Sequence, residues 1–332
     1  MTSVNLLFTS AGRRVELLRG FRRAFQSLGI PGRIVAIDID PLAPALQLAD
    51  VHYLVPRLDH PEYIPQLRTI LEREHITAVF PLIDPDVPVL AGHRALLEET
   101  GARVAVVPPE AVRIVSDKRS TNEFFLRLGL PVAKSWLPEE LDAVAQHFPL
   151  FIKPRFGSAS QHVFRLRDQE ELAFFSKYVP LPIIQECLTG PEITNDVVCD
   201  LEGRVLTVVS RQRIRVRGGE VLVGKTVHHP SIIDACVRIA ESLPAIGPIT
   251  VQCMMDDGSP RFTEINARFG GGMPAGIAAG ADSLRWLAAS IARIPQEIPP
   301  LGSYRKDLYF SRFDETSYLT EAEREEVARR TV

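Results

Sequence analysis

The chain has 332 residues, of which 45% are hydrophobic and 24% charged, a composition that excludes the disordered and fibrous classes. Its net charge of −3 gives no general attraction to nucleic acid or anionic lipid, so we expect neither as a partner. The four cysteines show no CxxC spacing, which argues against a zinc site. Neither a signal peptide nor a membrane-spanning apolar stretch is recognisable, which predicts a cytoplasmic protein without a membrane partner.

The first third of the chain alternates between strand and helix patterns. The predicted strands are residues 4–9, 33–38, 78–82 and 103–107, and the predicted helices are residues 13–28 and 61–75. This alternation indicates a parallel doubly wound sheet, which binds ligands at the carboxyl ends of its strands. The residues predicted to contact a substrate there are Ser10, Gly12, Arg13 and Asp84. Residues 9–14 hold one glycine where a dinucleotide fingerprint needs three, so NAD or FAD binding is the weaker alternative.

After residue 112 the pattern changes to short strands and glycine turns, typical of an α+β region. In this region an apolar strand leads to Lys153, and a loop of small residues that includes Gly157, Ser158 and Ser160 follows it. Small residues let backbone N–H groups approach an anion closely, and the lysine adds a point charge. The segment therefore predicts phosphate binding. The alternative is a surface hairpin with a solvated lysine.

A second polar segment alternates with period two, which places Glu264, Asn266 and Arg268 on one face of a strand. Gln252, on the preceding strand, is predicted to lie beside them across a hairpin. Carboxylate and amide oxygens suit Mg²⁺, and an arginine next in line can hold a phosphate or a developing acyl-phosphate charge. The alternative, a solvated edge strand, gives no reason for Asn266 or for the three glycines at 270–272.

A row of arginines at positions 211, 213, 215 and 217 is predicted to share one strand face. Arg213 is a predicted catalytic residue and Arg211 a predicted substrate contact, because guanidinium groups bind phosphates and carboxylates. A charged outer face is the alternative. In addition, an apolar strand at residues 183–188 ends in polar residues and precedes Glu192, an arrangement that can present backbone groups to an adenine edge.

Taken in order, these segments resemble the ATP-grasp superfamily, in particular the branch of the carbamoyl-phosphate synthase large subunit. The resemblance covers nearly the whole chain and rests on residues 9–14, 116–118, 152–154, 185–192 and 264–268. It implies an α/β and α+β fold, a Rossmann-like pre-ATP-grasp domain followed by a two-lobed ATP-grasp fold. The implied ranges are 1–112 for the first domain, 113–184 for the N-terminal lobe with its phosphate lid, and 185–332 for the C-terminal lobe with the metal site.

The resemblance also implies a role for each matching residue. Lys118 and Lys153 hold ATP phosphates or adenine, and residues 157–160 form the phosphate lid. Gln185, Glu186 and Leu188 lie at adenine, and Glu192 lies at the ribose. Gln252, Glu264 and Asn266 hold Mg²⁺, for which Mn²⁺ is a possible substitute, and Arg268 stabilises the acyl phosphate. Gly271 and Gly272 contact the substrate. Ala159 and His162 replace glycines that are usual in this lid, which leaves its conformation open.

The implied function is an ATP- and Mg²⁺-dependent ligase. It activates a small-molecule carboxylate as an acyl phosphate and couples it to an amine such as an amino acid, with release of ADP and phosphate. A single module argues against carbamoyl phosphate synthesis. The alternatives are a bicarbonate-activating carboxylase-like enzyme, a kinase, and a nucleotide-binding regulatory protein without turnover. A homodimer is compatible with the superfamily.

Overall fold

Three β-sheets, each built from its own stretch of chain, organise the computed structural model, which describes residues 3–143, 148–157 and 162–329. The strands are β1 Leu6–Thr9, β2 Ile34–Asp38, β3 Val51–Leu54, β4 Ala78–Pro81, β5 Arg103–Val104, β6 Ser135–Trp136, β7 Leu150–Pro154, β8 Phe164–Leu166, β9 Pro182–Glu186, β10 Glu192–Cys199, β11 Val205–Arg217, β12 Glu220–Val227, β13 Pro248–Asp256, β14 Ser259–Asn266 and β15 Tyr309–Ser311. The α-helices are α1 Val15–Leu28, α2 Pro44–Leu48, α3 Tyr63–Arg73, α4 Asp86–Gly92, α5 Arg94–Glu98, α6 Pro109–Ser116, α7 Lys118–Arg127, α8 Gln169–Tyr178, α9 Pro230–Ser242, α10 Pro274–Ala278, α11 Ser283–Ile291 and α12 Glu321–Arg329, and a 3₁₀ helix covers Pro138–Ala143.

The first sheet is parallel, with the strand order β3-β2-β1-β4-β5. Its central strands β1, β2 and β4 are buried along their whole length, as expected for strands covered by helices on both faces. The predicted parallel doubly wound sheet is therefore present. Helix α1 ends at Gly29, whose left-handed φ of 63° suits a residue without a Cβ atom. Strand β3 and helix α2 were not predicted, because each is short and only partly buried, unlike the equally short but fully buried β1 and β4.

The second and third sheets are antiparallel and form the rest of the molecule. The second has four strands in the order β6-β9-β7-β8, and the third has six in the order β14-β13-β10-β11-β12-β15. Together they confirm the α+β character predicted for this region. Helices α6 and α7 follow the first sheet and pack against β14 of the six-stranded sheet, where Phe125 meets Phe262 at 5.5 Å between ring centroids.

The element bounds bear on the domain ranges given above. The predicted boundary at 112/113 falls inside α6, and the predicted boundary at 184/185 falls inside β9. A boundary inside a helix or strand would cut its hydrogen bonds, so we propose that the lobes are divided after α6 and after β9 instead. The contact between α7 and β14 also means that α7 packs with the C-terminal lobe.

The end of the chain crosses back over the molecule. Strand β15 pairs with β12 at the edge of the six-stranded sheet, and the segment that follows it, residues 312–329, returns to the first domain. We call this segment the C-terminal strap. Glu315 pairs with Arg19 of α1 at 2.7 Å, and Val327 of α12 is buried in the same hydrophobic cluster as the first domain's core. The strap therefore joins the C-terminal lobe to the first domain.

Within the described residues, every helix is too short or too polar to cross a lipid bilayer.

Candidate active site

A cavity of about 810 Å³ lies between the four-stranded and six-stranded sheets, and we call it the large cavity. One wall comes from β7 and β9 and the opposite wall from β10, β11, β13 and β14. The predicted catalytic, cofactor and metal residues that line it are Lys118, Lys153, Gly157, Gln185, Glu186, Leu188, Glu192, Arg213, Gln252, Glu264, Asn266 and Arg268. Ser158 and Ser160, with Ala159, lie outside the described residues, whereas His162 is described and lines the cavity.

Two lysines enter the large cavity from adjacent elements. Lys153 stands on β7, and Lys118 begins α7, where its Nζ donates a hydrogen bond to the carbonyl oxygen of Gly157 at 2.7 Å. Arg155 donates two hydrogen bonds to Asp117, at 2.6 and 2.7 Å, which fixes the start of α7 beside the end of β7. Burial lowers the pKa of Lys153 to about 8, and the nearby Lys118 adds to the lowering. The cavity thus holds a cation that an anion would stabilise.

The predicted metal residues face each other on neighbouring strands. Gln252 of β13 pairs in register with Glu264 of β14, and Asn266 pairs with Thr250 two residues along. In the described part of the chain, no hydrogen bond or close ion pair is found for the side chains of Gln252, Glu264 or Asn266. Oxygen ligands without protein partners, on one wall of a cavity that also holds two lysines, fit Mg²⁺ bound together with ATP phosphates.

The three predicted metal residues include a single carboxylate, that of Glu264. Among the described residues there is also no group of three or more His, Cys, Asp or Glu side chains that could hold a metal by itself. Mg²⁺ commonly takes one or two protein carboxylates and completes its coordination with water and nucleotide phosphates. The site therefore suits a metal that arrives with its nucleotide.

Two arginines of the large cavity are held by carboxylates. Arg268 makes a forked ion pair with Asp84 of the first domain, with both N–O distances at 3.1 Å. Arg213 pairs with Glu192 at 2.5 Å through Oε1. A guanidinium held in this way keeps its orientation, so a transferring phosphoryl group would meet a preorganised charge.

The arginine row predicted on β11 does not stay on one face. Irregularities in the pairing of β11 with β12 occur between Arg213 and Val216, and they reverse the alternation of side chains. Arg211 and Arg213 line cavities, and Val216 takes the next place in the large cavity. Arg215 and Arg217 are exposed and line neither of the two cavities of the described structure. The prediction of four arginines on one face is therefore wrong beyond Arg213.

A small cavity of about 80 Å³ adjoins the large one, because Arg213, Gly219, Gln252 and Arg268 line both. Its other lining residues are Arg14, Thr194, Arg211, Glu220, Val221, Thr250, Gly270, Gly271 and Gly272. The three glycines lie against charged groups. A Cβ atom on Gly271 would stand 2.5 Å from Arg14 Nη1, and one on Gly272 would stand 2.5 Å from Arg211 Nη1. These positions have no space for a side chain.

The predicted substrate residues of the first domain divide into two groups. Asp84 reaches the site through Arg268. Ser10 donates to the buried Asp86 at 2.8 Å, and the Gly12 amide donates to Asp38 at 2.7 Å, so both shape the loop between β1 and α1. Neither residue lines the large or the small cavity, and the same holds for the exposed Arg13.

The residue of this loop that reaches the small cavity is Arg14. It pairs with Glu220 at 3.3 Å, and Glu220 also accepts a hydrogen bond from Arg312 of the strap at 2.6 Å. Sequence reasoning grouped Arg14 with its neighbours but did not select it, and it missed Glu220 and Arg312. No local signal distinguishes Arg14 from Arg13, because both residues precede α1, which begins at Val15.

Comparison with known proteins identifies the family of this site. A family model described as an ATP-grasp domain in the biosynthetic pathway with the Ter operon matches residues 179–303, which hold the predicted metal residues. A second model, the PylC-like N-terminal domain, matches residues 6–105. The chain thus carries a PylC-like N-terminal domain over residues 6–105 and an ATP-grasp domain over residues 179–303. The resemblance inferred from its sequence segments is thereby confirmed.

Among curated relatives of this ATP-grasp protein is the 3-methyl-D-ornithine–L-lysine ligase of Methanosarcina acetivorans, 23% identical over 88% of the chain. The chain covers 76% of that ligase, and 65% and 64% of the same ligases of Methanosarcina mazei and Methanosarcina barkeri. A carbamoyl-phosphate synthase of Methanobrevibacter smithii is 26% identical over 46% of the chain and 42% of its own length.

Solved structures agree on the fold. The biotin carboxylase domain of a Hydrogenobacter thermophilus 2-oxoglutarate carboxylase, in complex with MgADP, ADP and bicarbonate, matches with a TM-score of 0.72 and 20% identity over 93% of this chain and 74% of that one. An L-amino acid ligase from Bacillus licheniformis matches with a TM-score of 0.67 and 18% identity over 92% of this chain and 78% of that one. The predicted two-lobed ATP-grasp fold behind a Rossmann-like domain is confirmed.

Proposed function

We propose that this ATP-grasp protein is an ATP- and Mg²⁺-dependent carboxylate–amine ligase. It activates a small-molecule carboxylate as an acyl phosphate and passes the acyl group to an amine, with release of ADP and phosphate. The observation that carries the proposal is the shared wall of the large cavity, where the oxygen ligands of Gln252, Glu264 and Asn266 lie with Arg268 opposite Lys153. The ligases among its relatives support this reaction class.

ATP is proposed to lie along the large cavity. Gln185, Glu186 and Leu188 line the wall assigned to adenine. Because β9 is paired with β6 and β7 on both sides, we propose that the backbone just beyond its end, at Leu188, binds the adenine edge. Glu192 contacts Arg213 through Oε1, and we propose that its other oxygen binds a ribose hydroxyl. Lys118 and Lys153 then stand where the phosphates would lie.

Phosphoryl transfer needs positive charge at the ATP phosphates and at the acyl phosphate that forms, and we propose that the site supplies both. Mg²⁺, for which Mn²⁺ is the proposed substitute, neutralises phosphate charge when it is bound at Gln252, Glu264 and Asn266. Arg268, oriented by Asp84, faces the same wall and is proposed to stabilise the acyl phosphate, with Arg213 beside it. The substrate carboxylate attacks the γ-phosphorus in line, the bond from that phosphorus to the β,γ-bridging oxygen breaks, and ADP leaves.

The second half-reaction takes place at the acyl carbon. A neutral amine attacks the carbon, the bond to the phosphate oxygen breaks, and the amine proton passes to solvent or to the leaving phosphate. Because the acyl carbon of the acyl phosphate is already activated toward attack by the amine, no protein nucleophile is required. A bicarbonate-activating reaction is less favoured, since the PylC-like model and the amino-acid ligases point to organic carboxylates.

The partners follow from the reaction. We propose a carboxylate and an amine as substrates, the cytoplasm as the compartment, since ATP is available there, and a homodimer as the assembly. Sedimentation velocity of the full chain would test the dimer, which has one parallel in the biotin carboxylase domain dimer named among the solved structures.

The test of the ligase reaction combines ADP release with trapping. The full chain is incubated with Mg·ATP and a library of carboxylic acids and amino acids, and hydroxylamine is added to capture acyl phosphate as a hydroxamate. We expect substrate-dependent ADP release and hydroxamate from wild type. Arg268→Ala is expected to lose at least about 100-fold in kcat, the cost of removing one preorganised charge, with Mg·ATP affinity retained.

Arg103→Ala is the matched control, because Arg103 is a partly exposed arginine whose guanidinium contacts a backbone carbonyl and surface carboxylates away from both cavities. Turnover of Arg268→Ala equal to that of Arg103→Ala would contradict the proposed role of Arg268. ADP release without hydroxamate in the presence of every acid would contradict the ligase reaction itself.

A further inference from the structure

The small cavity has two distinguishable ends. Arg213, Gln252 and Arg268 line both cavities, so they mark the end next to the ATP site. Arg14 and Glu220 line the small cavity and are not among the residues of the large one, so they mark the far end. A carboxylate activated at Arg268 would therefore extend the rest of its molecule toward Arg14 and Glu220.

Positive charge is in excess at the far end. Arg211, Arg213 and Arg268 each have a carboxylate of their own, in Asp196, Glu192 and Asp84 respectively. Arg14 and Arg312 instead share the one carboxylate of Glu220, at 3.3 and 2.6 Å. Among the described charges around the small cavity, five guanidinium groups thus face four carboxylates.

The surplus guanidinium is held in place and is partly withdrawn from water. Arg14 lies so close to Gly271 that a Cβ atom there would collide with its Nη1. Burial, with Arg268 and Arg312 nearby, lowers the pKa of Arg14 from its ordinary value. Burial would raise the pKa of Glu220, but Arg14 and Arg312 outweigh it and lower that pKa. A fixed, partly desolvated cation binds an anion more strongly than a solvated one.

Two further polar atoms in this lining lack a partner. Thr194 Oγ1 and Arg213 Nε are both buried and have no hydrogen bond to any described residue. Buried polar groups are normally hydrogen-bonded, and an unpaired one costs on the order of 1–3 kcal/mol. A ligand with oxygen atoms in the small cavity would satisfy both.

From these contacts we infer that the carboxylic acid activated by this enzyme carries a second carboxylate, which binds at Arg14 in the small cavity. The inference rests on the proposed ligase function and names its substrate class as a short dicarboxylic or amino dicarboxylic acid. It separates this chain from relatives named for ornithine and lysine, because the additional amino group of those two amino acids is cationic and would be repelled by the surplus guanidinium. Glu220 is the one acid of the lining and can take an α-amino group of an amino dicarboxylate.

Binding and turnover are measured separately in the test. Calorimetric titrations of the full chain, with Mg²⁺ and a non-hydrolysable ATP analogue present, compare succinate, glutarate, aspartate and glutamate with butyrate, norvaline, ornithine and lysine. ADP release is measured with the same acids. We expect at least one dicarboxylate to bind about tenfold or more tightly than every monocarboxylate or diamino acid in the panel, which corresponds to about 1.4 kcal/mol.

Adjacent arginines provide a matched pair of variants. Arg14→Gln is expected to raise the Kd of the preferred dicarboxylate about tenfold, with the affinity for the ATP analogue unchanged, and Arg14→Lys is expected to keep most of the preference. Arg13→Gln removes the same charge from an exposed position outside both cavities; its charge reaches Glu220 only at a distance, so the variant should change the dicarboxylate affinity far less than Arg14→Gln does and leave the affinity for the ATP analogue unchanged. Thermal unfolding of each variant identifies any loss that arises from folding, and Arg14→Lys decides the outcome if Arg14→Gln does not fold.

Each pattern of results has one meaning. Ornithine, lysine or a monocarboxylate that binds as tightly as the best dicarboxylate would overturn the inference, as would equal effects of the Arg13 and Arg14 variants. Dicarboxylate binding that depends on Arg14 but gives no ADP release supports the inference and counts against the ligase reaction. ADP release that is driven best by a monocarboxylate or a diamino acid upholds the ligase and refutes the dicarboxylate.

Discussion

Lys153 has a pKa of about 8 because burial removes water from its ammonium group. A bound phosphate would restore the ordinary, higher pKa. Below pH 8 the ammonium is already charged, so ATP affinity should not change with pH through this group. Above pH 8 the empty cavity holds a neutral amine, and ATP must bind together with a proton. We therefore expect the Kd of Mg·ATP to rise above pH 8, approaching tenfold per pH unit.

The measurement is a calorimetric titration of Mg·ATP between pH 7 and 9.5. At pH 8.5, buffers of different ionisation enthalpy should reveal proton uptake on binding. Lys153→Arg, which stays charged throughout this range, should remove the pH dependence. A Kd that rises equally in wild type and in Lys153→Arg would assign the effect to another group.

A second prediction concerns a glycine that lines the small cavity. Gly272→Ala would bring a Cβ atom to within 2.5 Å of Arg211 Nη1, and Arg211 cannot move away because it is buried in its pair with Asp196 at 2.6 Å. We expect Gly272→Ala to destabilise the protein by about 1–3 kcal/mol, as overpacking does, and to raise the KM of the carboxylate. Urea unfolding and steady-state kinetics would measure the two effects.

Gly92→Ala is its control. Gly92 lies exposed in α4, and no atom stands within 4 Å of the place that a Cβ atom would take there. Alanine at this position should raise stability by up to about 1 kcal/mol through helix propensity and leave KM unchanged. If Gly272→Ala were as stable and as active as Gly92→Ala, the close approach of Arg211 to the backbone would affect neither the stability of the protein nor the KM of the carboxylate.

Which site residues can be recognised from sequence depends on whether their neighbours are local. Glu264 and Asn266 are two residues apart on β14, so strand periodicity places them together, and Arg268 follows just beyond the end of that strand. Arg14 and Glu220 are more than 200 residues apart in the sequence, and their meeting depends on the packing of the first domain against the C-terminal lobe. No local pattern contains that information.

At the scale of the element, the register of β13 and β14 places Gln252 directly opposite Glu264. Gln252→Glu would put a second carboxylate at this point of the wall. Two carboxylates attract a divalent cation more strongly, so we expect the variant to bind Mn²⁺ more tightly than wild type in the absence of nucleotide. Without metal, the two like charges should lower its stability.

Electron paramagnetic resonance of free Mn²⁺ would measure the affinity, and thermal unfolding with and without metal would measure the stability. Gln26→Glu makes the same chemical change on the exposed face of α1 and should alter neither quantity. An unchanged Mn²⁺ affinity in Gln252→Glu would mean that residue 252 is not at the metal.

Elements differ in how well the sequence predicts them. The long apolar strands and helix α1 follow the hydrophobic period and were predicted to within a residue or two. The irregular pairing of β11 was not predicted, since a bulge inserts a residue without a marker in the hydrophobic pattern, and it moved Arg215 and Arg217 out of the site.

At the scale of the whole molecule, the C-terminal strap connects the substrate cavity with the first domain. Val327 anchors α12 in the core, and Arg312, earlier in the strap, holds Glu220. Val327→Asp would bury a charge and should release α12. We expect faster proteolysis after residue 311 and a higher KM for the carboxylate, because Arg312 is less well held, while the affinity for Mg·ATP stays the same.

Ala322→Asp introduces the same charge at an exposed position of the same helix and serves as its control. Limited trypsin digestion and steady-state kinetics would compare the two variants. A strap that is cleaved readily in Val327→Asp without any change in KM would show that Arg312 does not depend on α12.

The ion pair between Arg268 and Asp84 joins the C-terminal lobe to the first domain, and Arg14 enters the small cavity from the first domain as well. The nucleotide site, by contrast, is built from the two antiparallel sheets. The first domain thus adds one side chain, that of Arg14, to a small cavity whose other lining residues come from the same region as the nucleotide site. If the proposed acid binds there, a change of the loop that carries Arg14 would alter the preference for the acid while the ATP site stays the same.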